Sequence, residues 1–449
     1  MKNTVDLLNG DIDKTLRQFS APLIFSFVFN ILYSWVDKYF VSKLGDEGLG
    51  AVGVSEQLLL LIFTLGIGFA IGSGVVVARR IGEGRNKEAN NIATMSIIIM
   101  FFYSIFISIS FYFTLPYLLD FMGYSGSLKA NILIYMSAII FGFPFNFLTF
   151  QINAMVRSIG NTTYPMMILL LTVFLNALFT PMLIFGWGFI PALGLYGGGL
   201  STSIAQFIGC VISITALIKN YTPIEFNYSG LTFDKNAIKL IFSKGIASTF
   251  QYLSLSSNRL IIFALANTFG ANIVASYTLG LSVDLFVFMP VFATGIGIEI
   301  ITGQNIGAKK YDRIFLYFNS AVKQLGILML VMGFVSYNYG GYFASLFTNN
   351  QEVIKNTSLY LQTTSFSYLF FAVGILTTRV FSGAGDTMRS LSIVSIFIYL
   401  IQIPLSYLLS IYFNLGPKGI WISISVSLLC FAILGISQFY KKDWLKIKF

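Results

Sequence analysis

Apolar stretches of bilayer-spanning length recur from one end of the chain to the other, separated by short polar or glycine-bearing turns. A helix needs about 20 predominantly apolar residues to cross the hydrocarbon core. On that measure the chain predicts helices near 20–42, 51–78, 91–114, 128–152, 164–186 and 196–218. After a more polar connector, 219–243, the pattern resumes with 244–266, 273–302, 316–338, 354–378, 389–412 and 418–438. The expected fold is an all-α integral membrane protein of about twelve transmembrane helices.

The pattern also repeats. Slid against itself by 225 residues, the chain aligns Gly45 with Gly270, Gly72 with Gly297, Gly82 with Gly307, Gly160 with Gly385, Thr162 with Thr387 and Gly194 with Gly419. ARRIGEGRNKEA then faces GQNIGAKKYDRI, and RSIGNTT faces SGAGDTM. One ungapped shift that holds this far predicts two pseudo-symmetric six-helix lobes, 1–218 and 244–449, joined by a cytoplasmic connector at 219–243. Six is an even number, so both lobes enter from the same side. They should be related by an axis along the membrane normal, with a site between them.

Against this apolar background the first run, SAPLIFSFVFNILYSWVDKYFVSKL (20–44), carries a carboxylate, Asp37. A charge at membrane depth costs roughly 2.5–3.5 kcal/mol on insertion scales and marks a pathway or coupling site by default. Asn30, Tyr33 and Asp37 fall on one helical face, three and four residues apart. Two readings stay open at this point. Asp37 is a functional carboxylate on a polar stripe, or it lies near the helix end and snorkels out or pairs with Lys38.

Composition narrows the class. The 449 residues are 56% hydrophobic and only 10% charged, against about 25% charged in soluble domains. A net charge of +10 is compatible with a nucleic-acid partner, but its distribution argues otherwise. With the N-terminus inside, twenty-one Lys and Arg, Arg379 among them, fall on inner segments, and four (Lys43, Lys129, Lys355 and Lys418) fall outside. That asymmetry places both termini in the cytoplasm of a multi-pass plasma-membrane protein. The opening MKNTVDLLNGDIDKTLRQ is too polar for a secretory signal, so no cleaved segment is expected. Cys210 and Cys430 lie in apolar runs and read as packing residues. Histidine is absent, which excludes a histidine proton relay, a Ser-His-Asp triad and histidine-ligated metal. No Walker A pattern appears, so the energy source should be an ion gradient.

Several stretches in combination resemble the multidrug and toxic compound extrusion (MATE) family, nearly end to end. They are LYSWVDKYFVSKLG (32–45), ARRIGEG (78–84), INAMVRSIGNTTYPM (152–166), FLNALFTPMLIFGWGFIPALGLYGGGLSTSIAQ (174–206), GQNIGAKK (303–310) and FSGAGDTM (381–388). The resemblance implies a two-lobed, twelve-helix efflux antiporter. It also implies a cation-coupling set: Asp37 as the first-helix aspartate, Tyr33 one turn before it, Asn176 in the fifth helix and Thr202 in the sixth. Where the family pattern has a second aspartate, this chain has Thr180. One carboxylate leaves less negative charge to offset sodium dehydration, which tilts the expectation toward protons. One branch of the family places acids in helices seven and ten. Helix seven here, GIASTFQYLSLSSNRLIIFALAN, holds Arg259 and no acid, so the chain looks closer to the branch relying on the first-helix aspartate.

Other polar residues within spans are Gln151, Gln251, Gln362, Arg259, Asp284 and Glu299. Arg259 and Asp284 sit at similar depth, so they form a lobe-stabilising ion pair or face the cavity and meet substrate. Glu299 gates or carries protons, or hydrogen-bonds its neighbours. Asn30, Gln251, Arg259 and Asp284 are the candidate substrate-binding residues.

The function expected is secondary active export of amphipathic, cationic organic compounds in exchange for protons or sodium ions, by alternating access. The rival is a flippase or exporter of a lipid-linked or anionic metabolite, which an Arg259-dominated cavity would favour. No enzymatic activity is expected, and no metal beyond a sodium ion at Asp37. The expected partners are small organic substrates and the bilayer, with no cofactor, no nucleic acid and a monomeric state.

Overall fold

In a computed structural model, residues 4–188, 190–225 and 232–447 are described. Residues 226–231 of the expected connector, together with Lys2 and Lys448 of the charge count, lie outside them. The described residues form twelve long helices. The first six are α1 (Ile12–Ser42), α2 (Asp46–Gly82), α3 (Asn86–Phe121), α4 (Gly126–Ser158), α5 (Thr163–Phe185) and α6 (Gly194–Ile218). The second six are α7 (Lys235–Asn267), α8 (Ala271–Gly307), α9 (Tyr311–Ser345), α10 (Gln351–Gly383), α11 (Thr387–Tyr412) and α12 (Pro417–Tyr440). Ten of them are long and apolar enough to cross a membrane. Among the described residues α7 does not meet that measure, because Gln251, Asn258 and Arg259 interrupt it, while several side chains of α1 lie outside the described residues.

The repeat is a property of the backbone. Helices α2 and α8 each contain 37 residues, and each starts behind a glycine at positive φ, Gly45 at 99° and Gly270 at 102°. Their C-terminal ends match too. Gly84 (φ 73°) and Lys309 (φ 58°) adopt the left-handed conformation, and Arg85 N–H donates to Arg80 O while Lys310 N–H donates to Asn305 O. This is the hydrogen-bonded stop that satisfies otherwise orphaned carbonyls. After the left-handed Gly160 and Gly385, the side chains of Asn161 and Asp386 accept the N–H of Tyr164 and Arg389 at 3.0 and 3.2 Å. Side-chain acceptors at such helix starts contribute about 1 kcal/mol each. The sequence match of RSIGNTT with SGAGDTM is therefore a match of helix stops and starts.

The chain divides into two compact units, though not at the connector. One contains residues 1–6 and 21–245, and the other contains 7–20 and 246–449. A division at 219–243 would assign residues 7–20 and 244–245 differently. Close helix crossings explain the observed division. In the first unit a Cβ on Gly72 of α2 would lie 2.4 Å from the Ile241 carbonyl and 2.7 Å from Gly245 N, both on α7. In the second unit a Cβ on Gly297 of α8 would meet Ser20 Oγ at 3.0 Å, on α1. Ser20 and Gly245 are themselves 225 apart, so the repeat contains its own exchange of helix ends. The 7–20 segment is further held by Asn305, which donates to Leu7 O at 3.1 Å, and by Ser320, which donates to Asp13. The Ser320 hydroxyl holds the Asp13 carboxyl below its ordinary range.

Within the first unit α4 packs against α2, α3 and α6. Gln151 of α4 donates to Ser73 at 2.8 Å and to Ser96 at 3.1 Å, so it bridges three helices. In the second unit α10 packs against α8, α9 and α12 and bends at a 3₁₀ turn, Ser365–Ser367. Helix α11 widens into π turns at Ile396–Gln402 and Leu408–Tyr412, on either side of the segment holding Pro404, which has no N–H to give.

Candidate functional site

The polar residues of the first unit converge. Asn176 and Thr180 are one turn apart on α5, and Ser201 and Thr202 are adjacent on α6. Helix α6 reaches this depth because its neighbours meet glycine. A Cβ on Gly199 would lie 2.6 Å from the Tyr135 carbonyl of α4, and one on Gly197 would lie 2.3 Å from the Leu183 carbonyl of α5. Asp37, only 7% exposed, faces this cluster from α1.

Thr180 donates to Asp37 Oδ1 at 3.2 Å, and the Thr180 and Ser201 hydroxyls are hydrogen-bonded at 2.8 Å. Asn176 Nδ2 donates to Ser201 Oγ at 3.4 Å and to Thr202 Oγ1 at 3.2 Å. The Tyr33 hydroxyl donates to Thr202 Oγ1 at 3.0 Å. Asp37, Tyr33, Asn176, Thr180 and Thr202 are thus brought into one network. Ser201, which sequence reasoning missed, is its bridge; the only signal for it was a hydroxyl residue beside Thr202.

Two features bear on chemistry. Asn176 Oδ1 is buried and has no hydrogen-bond partner, so the network holds an unused acceptor. Among the described residues no Lys or Arg forms an ion pair with Asp37; the Lys38 side chain lies outside them. A buried carboxylate without a cation partner is neutralised by a proton or holds an ion. Asn30, on the same face of α1, is exposed.

The second unit departs from expectation in several places. Asp284 does not pair with Arg259. Its two carboxylate oxygens accept hydrogen bonds from Tyr360 and Tyr368. The Arg259 guanidinium lies 5.8 Å from the Phe263 ring centroid instead, and forms no ion pair among the described residues. Tyrosine hydroxyls satisfy the acid, so of the two readings left open from sequence the ion pair with Arg259 is not found among the described residues. Gln251 is buried and accepts from Ser390 at 3.2 Å.

Arg379, counted from sequence among the inner-side charges, is buried within α10. Its Nη1 donates to Glu299 Oε2 at 2.9 Å and its Nη2 to the Tyr252 hydroxyl at 2.6 Å. Glu299 is accordingly half of a buried ion pair, and a buried guanidinium requires such a partner. Among the described residues no group of three His, Cys, Asp or Glu side chains is placed to hold a metal.

The MatE family model matches residues 22–182 and 247–408, one stretch per half of the repeat. The chain is 25% identical to the probable multidrug resistance protein YoeA of Bacillus subtilis, over 96% of this chain and 94% of that one. It is 24% identical to the multidrug export protein MepA of Staphylococcus aureus, over 93% and 91%. Its fold superposes on a MOP superfamily transporter from Pyrococcus furiosus, described as having a binding pocket of reverse polarity, with a TM-score of 0.93 over the full length of both and 23% identity.

Proposed function

From the premise that the chain belongs to the MatE family, we propose that it is a secondary active exporter of amphipathic, cationic organic compounds, driven by protons through Asp37. The observation that carries the proposal is the Asp37 network: one buried carboxylate, donors from Thr180 and its neighbours, and an unused acceptor on Asn176. A proton arriving at Asp37 removes the charge that Thr180 solvates. It also creates an O–H donor, which the Thr180 hydroxyl oxygen, 3.2 Å from Asp37 Oδ1, can accept. The network therefore accommodates both protonation states, at the cost of rearranging hydrogen bonds between α1, α5 and α6. Helices α1 and α5 contain Pro22 and Pro181, each lacking a backbone N–H, so both can bend in response.

The names of the curated relatives support multidrug export. Charge asymmetry supports a plasma-membrane protein with both termini cytoplasmic. We take it to act as a monomer, without cofactor or nucleic acid, through alternating access.

The test is dye efflux from proteoliposomes, using an ethidium-like cation under an imposed proton or sodium gradient. Export driven by protons and lost in Asp37→Asn, at normal expression, supports the proposal. Full export by Asp37→Asn sinks it, and strict sodium dependence replaces the proton with sodium at the same oxygens. A second reading, export or flipping of an anionic or lipid-linked compound, is favoured by Arg259, which lacks an acidic partner among the described residues. Transport of an anionic probe that is lost in Arg259→Gln, with no cationic dye transport, would establish that reading.

A further inference from the structure

The most self-contained polar cluster outside the Asp37 network surrounds Asp284, 5% exposed, in the second unit. Its carboxylate accepts from Tyr360 at Oδ2 and from Tyr368 at Oδ1, the latter at 2.8 Å. The rest of the enclosure is aromatic. Tyr277 meets the Tyr360 ring edge-on at 5.6 Å, and Trp421 packs against both, at 5.4 and 4.9 Å. Gly280, one turn before Asp284 on α8, makes room for this arrangement, since a Cβ there would lie 2.2 Å from the Tyr360 ring. Trp421 is fully buried and its indole N–H has no partner.

The groups facing Asp284 are Tyr360 and Tyr368 from α10 and Tyr277 from α8 itself. Arg259 from α7 lies over the Phe263 ring, which in turn packs on Tyr277 at 4.7 Å, and does not pair with the acid. The carboxylate therefore sits in an aromatic enclosure with hydroxyl donors and no ion pair. Hard cations want several oxygen ligands, and both oxygens here already accept hydrogen bonds, so a metal ion fits poorly. A proton fits well. Tyrosine hydroxyls both donate and accept, so a protonated Asp284 donates to one tyrosine oxygen while the other hydroxyl still donates to it. The two Asp284–tyrosine contacts then persist in both states, with the accepting tyrosine's own hydroxyl hydrogen rotated away from the acid.

The repeat adds a second observation. Tyr360 is the counterpart, 225 residues on, of Tyr135, which is buried in the first unit. Each unit thus buries one carboxylate and one member of this tyrosine pair, although the acids come from different helices, α1 and α8. We infer that Asp284 is a second proton-binding site, so that each transport cycle exchanges two protons, one in each unit. This rests on the proton-coupled reading of Asp37.

The test counts protons directly. Purified full-length protein in weakly buffered detergent is titrated with an ethidium-like cation across a pH series, and released protons are read with a pH dye. The expectation is about two protons released per protein, about one for Asp284→Asn or Asp37→Asn, and none for the double variant, with Asp284→Glu restoring the second. Where Asp284→Asn fails to fold, the Tyr360→Phe/Tyr368→Phe variant is read in its place. It keeps the rings but removes the hydroxyls that solvate the ionised acid, and should also release about one. Wild-type release by Asp284→Asn, or by the double phenylalanine variant where that one is used, overturns the inference and leaves the Asp37 reading standing. No release from wild type overturns both.

Discussion

Thr180 donates its hydroxyl hydrogen to the Asp37 carboxylate at 3.2 Å, across 143 positions of sequence. The bond ties α5 to α1 through the one residue at which the chain departs from the two-carboxylate pattern its resemblance implied. Thr180 also shares a hydrogen bond with Ser201, so a change at this hydroxyl reaches three helices.

Thr180→Asp should place a second carboxylate beside Asp37 and confer sodium dependence on export. Thr180→Val, which loses a hydrogen bond to a charged group worth about 1.5–3 kcal/mol, should slow proton-driven export at least about tenfold. Transport under separate proton and sodium gradients reads both effects. An unaltered ion preference in the aspartate variant would remove Thr180 from the coupling site.

Glu299 and Arg379, each 7% exposed at the side chain, form a buried ion pair. Removing one partner strands the other, so Arg379→Met or Glu299→Met should each cost about 3–5 kcal/mol. The double variant Glu299→Met/Arg379→Met should recover much of that loss, because no charge remains unpaired. Thermal unfolding in detergent measures all three. Equal losses in the single and double variants would mean that the pair contributes more than mutual neutralisation.

Gly199→Ala should impair transport without altering any polar residue. The added methyl would lie 2.6 Å from the Tyr135 carbonyl and 2.9 Å from Ala138 Cβ. Relieving that clash moves α6 away from α4 and carries Ser201 and Thr202 out of register with Asp37. Overpacking of this kind costs about 1–3 kcal/mol. Reduced export with intact expression is the expected result, and wild-type export would show that α6 yields without disturbing the network.

Glu83, just beyond α2, gives a pH-dependent contribution to stability. Burial raises its carboxyl pKa, but the guanidiniums of Arg80, Arg85 and Arg79 outweigh burial and hold it below the ordinary 4.5. A depressed carboxyl stabilises the fold above the unfolded-state value, and that stability is lost as pH falls through the folded-state value. Because the site is partly exposed, the contribution should not exceed about 1 kcal/mol. Glu83→Gln should lower the unfolding temperature slightly at neutral pH and have no effect well below pH 4.5.

Sequence alone determined the membrane class, the helix positions and the twofold repeat. These rest on local quantities: apolar run length, glycines where the backbone turns left-handed, and acceptors such as Asn161 and Asp386 that start helices. It also singled out Asp37, since a carboxylate inside an apolar run is costly wherever the chain folds. Tertiary structure alone decided which partner each buried polar group found. Arg379 left the count of inner-side charges to join Glu299, Asp284 took two tyrosines in place of Arg259, and Ser201 became the bridge beneath Asp37. The division into units was decided the same way, because the ends of α1 and α7 follow glycine crossings on α8 and α2. Such pairings depend on distances between helices far apart in sequence, and hydrophobic periodicity fixes which face of a helix is polar but not what that face will meet.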